Sequence, residues 1–110
     1  MSRYFEVDAL EWQPVRPDVA HEVFGKSLLA DGVRMSLTRV APGGGFYRHT
    51  DDYAHLFYFL SGTGIVKIGE EEFPVRPGTV VHVEAGESHS YVNMGTEELL
   101  LISVNLPVQR

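Results

Sequence analysis

The chain has 110 residues, enough for one domain around a single core and too few for two. Apolar residues make up 44% and charged residues 22%, as in ordinary globular proteins, and the formal net charge of −6 with no basic stripe argues against a nucleic-acid partner. Cysteine is absent, which excludes disulfides, thiolate metal sites and cysteine nucleophiles.

In chain order, the opening MSRYFEVDALEW has no apolar signal core. The longest apolar run, Leu56 to Leu60, is too short to cross a bilayer, so no membrane partner is expected and the expected location is cytoplasmic. Asp8 to Trp12 can form a single helical turn, which Pro14 and Pro17 would end. Short β-rich runs follow, at Ala20–Leu29, Val33–Val40, Tyr47–His49, Leu56–Leu60, Gly64–Ile68, Glu71–Val75, Thr79–Val83, His89–Asn93 and Leu99–Asn105. Asp31-Gly32 signals a hairpin. Pro42-Gly43-Gly44-Gly45 reads as a flexible loop, and Ser61-Gly62-Thr63-Gly64 and Arg76-Pro77-Gly78 read as tight turns. The pattern predicts an all-β sandwich or small barrel with little or no helix.

Alternation assigns faces. In Val33–Val40 the odd positions Val33, Met35 and Leu37 are apolar, which predicts that they point inward and carry Arg39 with them. His55, Phe57 and Phe59 share one face of their strand, while Leu56, Tyr58 and Leu60 share the other. Both faces are apolar, as they are in Leu99 to Val104, and so much outward apolar surface predicts a homodimer. His82 alternates with Val81 and Val83 and is expected at the surface.

His49, Asp51 and His55 lie within seven residues, and His89 follows downstream. Three imidazoles and a carboxylate make a complete ligand set for one divalent ion: Fe, Mn, Ni, Co or Zn. Tyr47 shares strand parity with His49, and Tyr91 shares it with His89. With Arg39, Phe57 and Phe59 they form the expected substrate pocket, in which Arg39 would meet a substrate carboxylate.

The glycine-flanked histidines resemble the cupin superfamily. In GGFYRHTDDYAHLFYFLSG, Gly43 opens the first motif and Gly62 closes it. His49 takes the first ligand position, Asp51 stands where a second His is usual, and His55 stands where a Glu is usual. In GTVVHVEAGESHSYVN, Gly78, Gly86, His89 and Asn93 fit the second motif, with Glu84 in place of proline. The resemblance implies a double-stranded β-helix, or jelly-roll barrel, with its core at about residues 33–105. Residues 1–32 would pack on that barrel or on a partner subunit, within one domain spanning 1–110. It implies a metal ion at His49, Asp51, His55 and His89, with Asp51 bound directly or standing behind a ligand. It also implies a metal-dependent enzyme of dioxygenase or isomerase/lyase type, acting on a small oxygen-rich molecule. The alternatives are a non-catalytic binding or sensor protein, and a scaffold with a vestigial site.

Overall fold

The computed structural model describes residues 3–107. Among them are one short 3₁₀ turn, Val7–Ala9, and nine strands. The strands are β1 (Gln13–Pro14), β2 (Ala20–Asp31), β3 (Val33–His49), β4 (Ala54–Ser61), β5 (Gly64–Ile68), β6 (Glu71–Val75), β7 (Val80–Val83), β8 (His89–Val92) and β9 (Leu99–Leu106). They form a curled antiparallel sheet in the order β6-β5-β8-β3-β9-β4-β7, with β2 pairing along β3 and β1 along β2. This is the expected all-β jelly-roll barrel.

β3 organises the barrel. Its first half pairs with β9, from Arg34↔Asn105 to Val40↔Leu99, and its second half pairs with β8, from Gly45↔Val92 to His49↔His89. One strand therefore joins two arms, β9-β4-β7 and β8-β5-β6, that curl toward each other. The segment Pro42-Gly43-Gly44-Gly45 was expected as a loop, yet it lies inside this continuous strand. A Cβ on Gly45 would collide with the Tyr91 carbonyl, and one on Gly44 would stand 2.6 Å from the His21 carbonyl oxygen. These glycines let backbones approach where a side chain would not fit.

The interior of the closed end is apolar. Phe59, Leu99, Leu101, Val40, Val66 and Val83 are fully buried, each contributing about 1.5–3 kcal/mol through burial. Phe57, Phe59 and Tyr91 pack edge to face. His82 is exposed between buried Val81 and Val83, as its alternation predicts.

The sidedness of β3 is the reverse of the expectation. Thr38 and Val40 are buried inside with Ser36 above them, while Met35, Leu37 and Arg39 occupy the outer face. The outside of this sheet is largely apolar, and its inner face presents Ser36 and Thr38 to a cavity. Hydrophobic alternation therefore points the wrong way here.

Val7 and Trp12 contact β2 through Lys26. Lys26 is buried, donates to the Val7 carbonyl at 3.0 Å and lies 4.7 Å from the Trp12 ring centroid. Arg39 stacks on the other residues of this clasp, 4.5 Å from Trp12 and 5.2 Å from Phe24, and pairs with Glu98 at 3.4 Å.

Candidate metal centre

The ends of four strands bring the centre together. His49 ends β3 and faces His89, the first residue of β8, in direct register. His55 lies in β4 opposite Asn105 of β9. Asp51 sits in the β3–β4 connection, where its carbonyl accepts the Gly86 amide at 2.8 Å. That bond ties the first histidine motif to the loop carrying the second.

Asp51 is the hub. Its Oδ2 lies 2.8 Å from His55 Nε2, 3.2 Å from His49 Nε2 and 3.9 Å from His89 Nε2. Candidate ligand atoms of His49, Asp51 and His89 all fall within 4.8 Å of one another, and His55 joins them through its contact with Asp51. The His49 and His89 ring centroids are 4.5 Å apart, and those of His55 and His89 are 4.9 Å apart.

The outer nitrogens set the chemistry of the inner ones. His49 Nδ1 is 2.7 Å from the Tyr47 carbonyl and His89 Nδ1 is 3.0 Å from the Glu87 carbonyl. His55 Nδ1 is 3.1 Å from Asn105 Oδ1. A carbonyl only accepts, so each Nδ1 carries the proton. With a cation at the hub each neutral ring would turn its Nε2 lone pair to it, whereas without one His55 Nε2 donates to Asp51 Oδ2 at 2.8 Å. Three imidazolium ions this close would repel strongly, while three neutral rings aim three lone pairs at one point. A divalent cation suits that arrangement, and the carbonyl partners are those that orient metal-binding imidazoles. Burial, with the neighbouring imidazoles adding to it, pushes the His89 pKa below its ordinary value, which favours the neutral form. Burial pushes the Asp51 carboxyl upward, but hydrogen bonds from His55 and Arg16 outweigh it and hold this group below its usual range. His49, Asp51 and His89 thus form a group that could hold a metal ion.

Beside the cluster lies a cavity of about 90 Å³. Phe57 and Tyr91, both expected in the pocket, form its apolar wall together with Phe46. Burial raises the Tyr91 phenol far above its ordinary pKa, so it remains protonated and able to donate. The other expected pocket residues lie elsewhere. Arg39 points outward with its face of β3, into the Trp12 clasp. Tyr47 is 61% exposed, because the β3–β8 register shifts between Phe46 and His49 and breaks the parity assumed for it. Phe59 is fully buried in the core below the cavity. Met35, expected to point inward, lies on the outer face. Glu84, which stands in place of the second motif's proline, is exposed.

Several cavity residues escaped sequence reasoning. Ser36, Thr38 and Ser103 line the side opposite the aromatic wall, with Thr38 Oγ1 3.0 Å from Ser103 Oγ. Asn105 connects this side to His55. Polar alternation along β3 is the available signal for Ser36 and Thr38, but the apolar odd positions assign them to the outer face, and Leu99 to Val104 reads as apolar on both faces. Arg16 and Tyr53 stand at the cavity and carried no motif signal at all.

A curled jelly roll with a histidine-carboxylate cluster at the ends of its strands defines a cupin. Residues 36–105 match the family Cupin_2, cupin domain, and the chain belongs to that family. It is 27% identical to an oxalate-binding protein of Thermotoga maritima over 90 residues, covering 79% of this chain and 73% of the relative. Two solved structures share the fold with a TM-score of 0.86 at 21% identity. One is the polyketide cyclase RemF from Streptomyces resistomycificus, with 96% of this chain and 79% of that one covered. The other is a predicted oxalate decarboxylase from Thermotoga maritima, with 96% and 100% covered. No helix among the described residues is long and apolar enough to cross a membrane.

Proposed function

We propose that the protein is a metal-dependent cupin enzyme acting on a small oxygen-rich organic molecule. One divalent ion, Fe, Mn, Ni, Co or Zn, is held by His49, Asp51, His55 and His89. The observation that carries this reading is the locking of three Nδ1 atoms by carbonyl oxygens, which turns three Nε2 atoms toward one carboxylate oxygen. The ion would supply a Lewis acid or a redox centre when bound. The chain's own residues exclude bulk water with Phe46, Phe57 and Tyr91 and offer hydroxyls from Ser36, Thr38 and Ser103. Drug-sized ligands occupy about 300–1,000 Å³. The cavity here suits a much smaller molecule, of the dioxygenase, isomerase or lyase substrate class. The names of relatives that concern oxalate and a cyclase are compatible with such a substrate. We further propose a homodimer and a cytoplasmic location.

A second reading, a binding protein without turnover, is favoured by one observation. Glu84 faces solvent and leaves the cavity without a carboxylic acid apart from Asp51. Elemental analysis of protein purified without a histidine tag tests both. Near-stoichiometric metal is expected in the wild type and little in a His49→Ala/His89→Ala variant. Full metal retention by that variant would remove the site. Turnover of small hydroxy or keto acids by the loaded protein supports the enzyme, whereas saturable binding without turnover supports the binding protein.

A further inference from the structure

Arg16 makes a contact that the metal cluster alone does not explain. It lies in the five-residue connection between β1 and β2, on a strap pinned at both ends. Val15 donates to the Val23 carbonyl at 3.0 Å, and Tyr47 donates to the Val19 carbonyl at 2.7 Å. The Val19 amide closes a turn onto the Arg16 carbonyl at 2.9 Å. Within this turn Arg16 has φ 42°, in the left-handed region that side-chain-bearing residues rarely adopt. A conformation of this kind is strained and concentrates at functional sites.

The guanidinium has two sides in use. Its Nε and Nη2 donate to the two carboxylate oxygens of Asp18, each at 3.2 Å. Its Nη1 points inward and donates to Asp51 Oδ1 at 3.3 Å. Asp18 is exposed and holds the fork from outside, while Asp51 is nearly buried and belongs to the metal cluster. A cation here opposes a second cation at the hub, since like charges at this range weaken each other's binding. With a divalent ion present, Asp51 and Asp18 cancel two charges and Arg16 adds one. One net positive charge remains at the mouth of a small cavity.

We propose that Arg16 is the specificity residue of this site and that it binds the carboxylate of a small monoanionic substrate. The inference rests on the metal-site reading above and narrows its substrate class. Asp51 faces the hub through Oδ2 and Arg16 through Oδ1, so a substrate carboxylate that takes over Nη1 frees Oδ1 to turn to the ion, and the anchoring by Asp18 keeps that exchange small. Metal and carboxylate therefore bind cooperatively, each raising the other's affinity by the same factor.

Calorimetric titration with Zn²⁺, followed by glycolate or by neutral ethylene glycol, tests the assignment. Arg16→Met is expected to weaken glycolate binding to the zinc-loaded protein about tenfold and to leave ethylene glycol within about twofold. Its zinc affinity should rise, because the competing cation is gone. Arg16→Lys keeps the charge but loses the fork, and glycolate binding should fall about threefold, which preserves the test if the Met variant does not fold. Glycolate affinity unchanged in whichever variant folds overturns the role of Arg16 while leaving the metal site standing. A wild type that takes up zinc but not glycolate also overturns it. A wild type that takes up no divalent metal overturns both readings together.

Discussion

Burial sets the acid limit of this protein at His89. Its folded pKa lies below the ordinary 6.5, chiefly because the buried ring resists charging. Between those two values the unfolded chain holds a proton that the folded chain lacks. The contribution of His89 is therefore full above pH 6.5 and is lost as pH falls through the folded value. Asp51 works in the same direction over a more acidic window. Its folded pKa lies below 3.8, so its contribution is full above that value and disappears below it. In the presence of a chelator, the urea midpoint should fall as pH drops from about 6.5 to 5, and His89→Gln should flatten that slope. A midpoint that holds or rises over this range would contradict the assignment. At this scale His49, Asp51, His55 and His89 were legible, because two short motifs encode them. Arg16 was not, since 35 positions separate it from the carboxylate it meets.

Among the elements, β3 carries the most information. It serves both arms of the barrel only because Gly45 lets the β8 backbone come close. Gly45→Ala places a methyl group against backbone that cannot rotate away. It should cost about 2 kcal/mol or more and lower the melting temperature measurably. The same change should weaken zinc binding, since the β3–β8 pairing holds His49 against His89. An unaltered melting curve would show that the strand can reach both arms without this close approach. Most strands were readable from turn glycines and β-branched runs, and Gly64–Ile68 and Glu71–Val75 match their expected limits. The glycine run of β3 was misread because glycine marks both a loop and a close backbone contact, and only the neighbouring strand distinguishes the two.

Over the whole molecule, the outer face of the β3-β9-β4-β7 sheet is apolar. Met35, Leu37, Ile102 and Val104 are only half-buried there, and Tyr58 and Val80 are 46% and 58% exposed. Tyr58 pairs in register with both Val80 and Ile102, so these side chains form one continuous surface. Covering such a surface is favourable by about 25 cal/mol per Å² of apolar area. Sedimentation velocity at micromolar concentration should show a dimer, and a Tyr58→Lys/Val80→Lys variant should sediment as a monomer. A wild type that remains monomeric, or a variant that still pairs through charged lysines, would count against this face.

Chain spacing sufficed for most strands outside β3 and for the proximity of the three histidines to Asp51, because these depend on a few neighbouring residues and their backbone preferences. It did not suffice for the sidedness of β3. A strand's inner face is recognised as apolar only when the interior is packed core, and here the interior above Phe59 is a cavity lined by Ser36, Thr38 and Ser103. Folding decided that Arg39 lies outside and Arg16 at the cavity mouth, and it decided the direction of every Nε2. Each of those outcomes depends on what the closing barrel brings opposite a side chain, which local sequence does not encode.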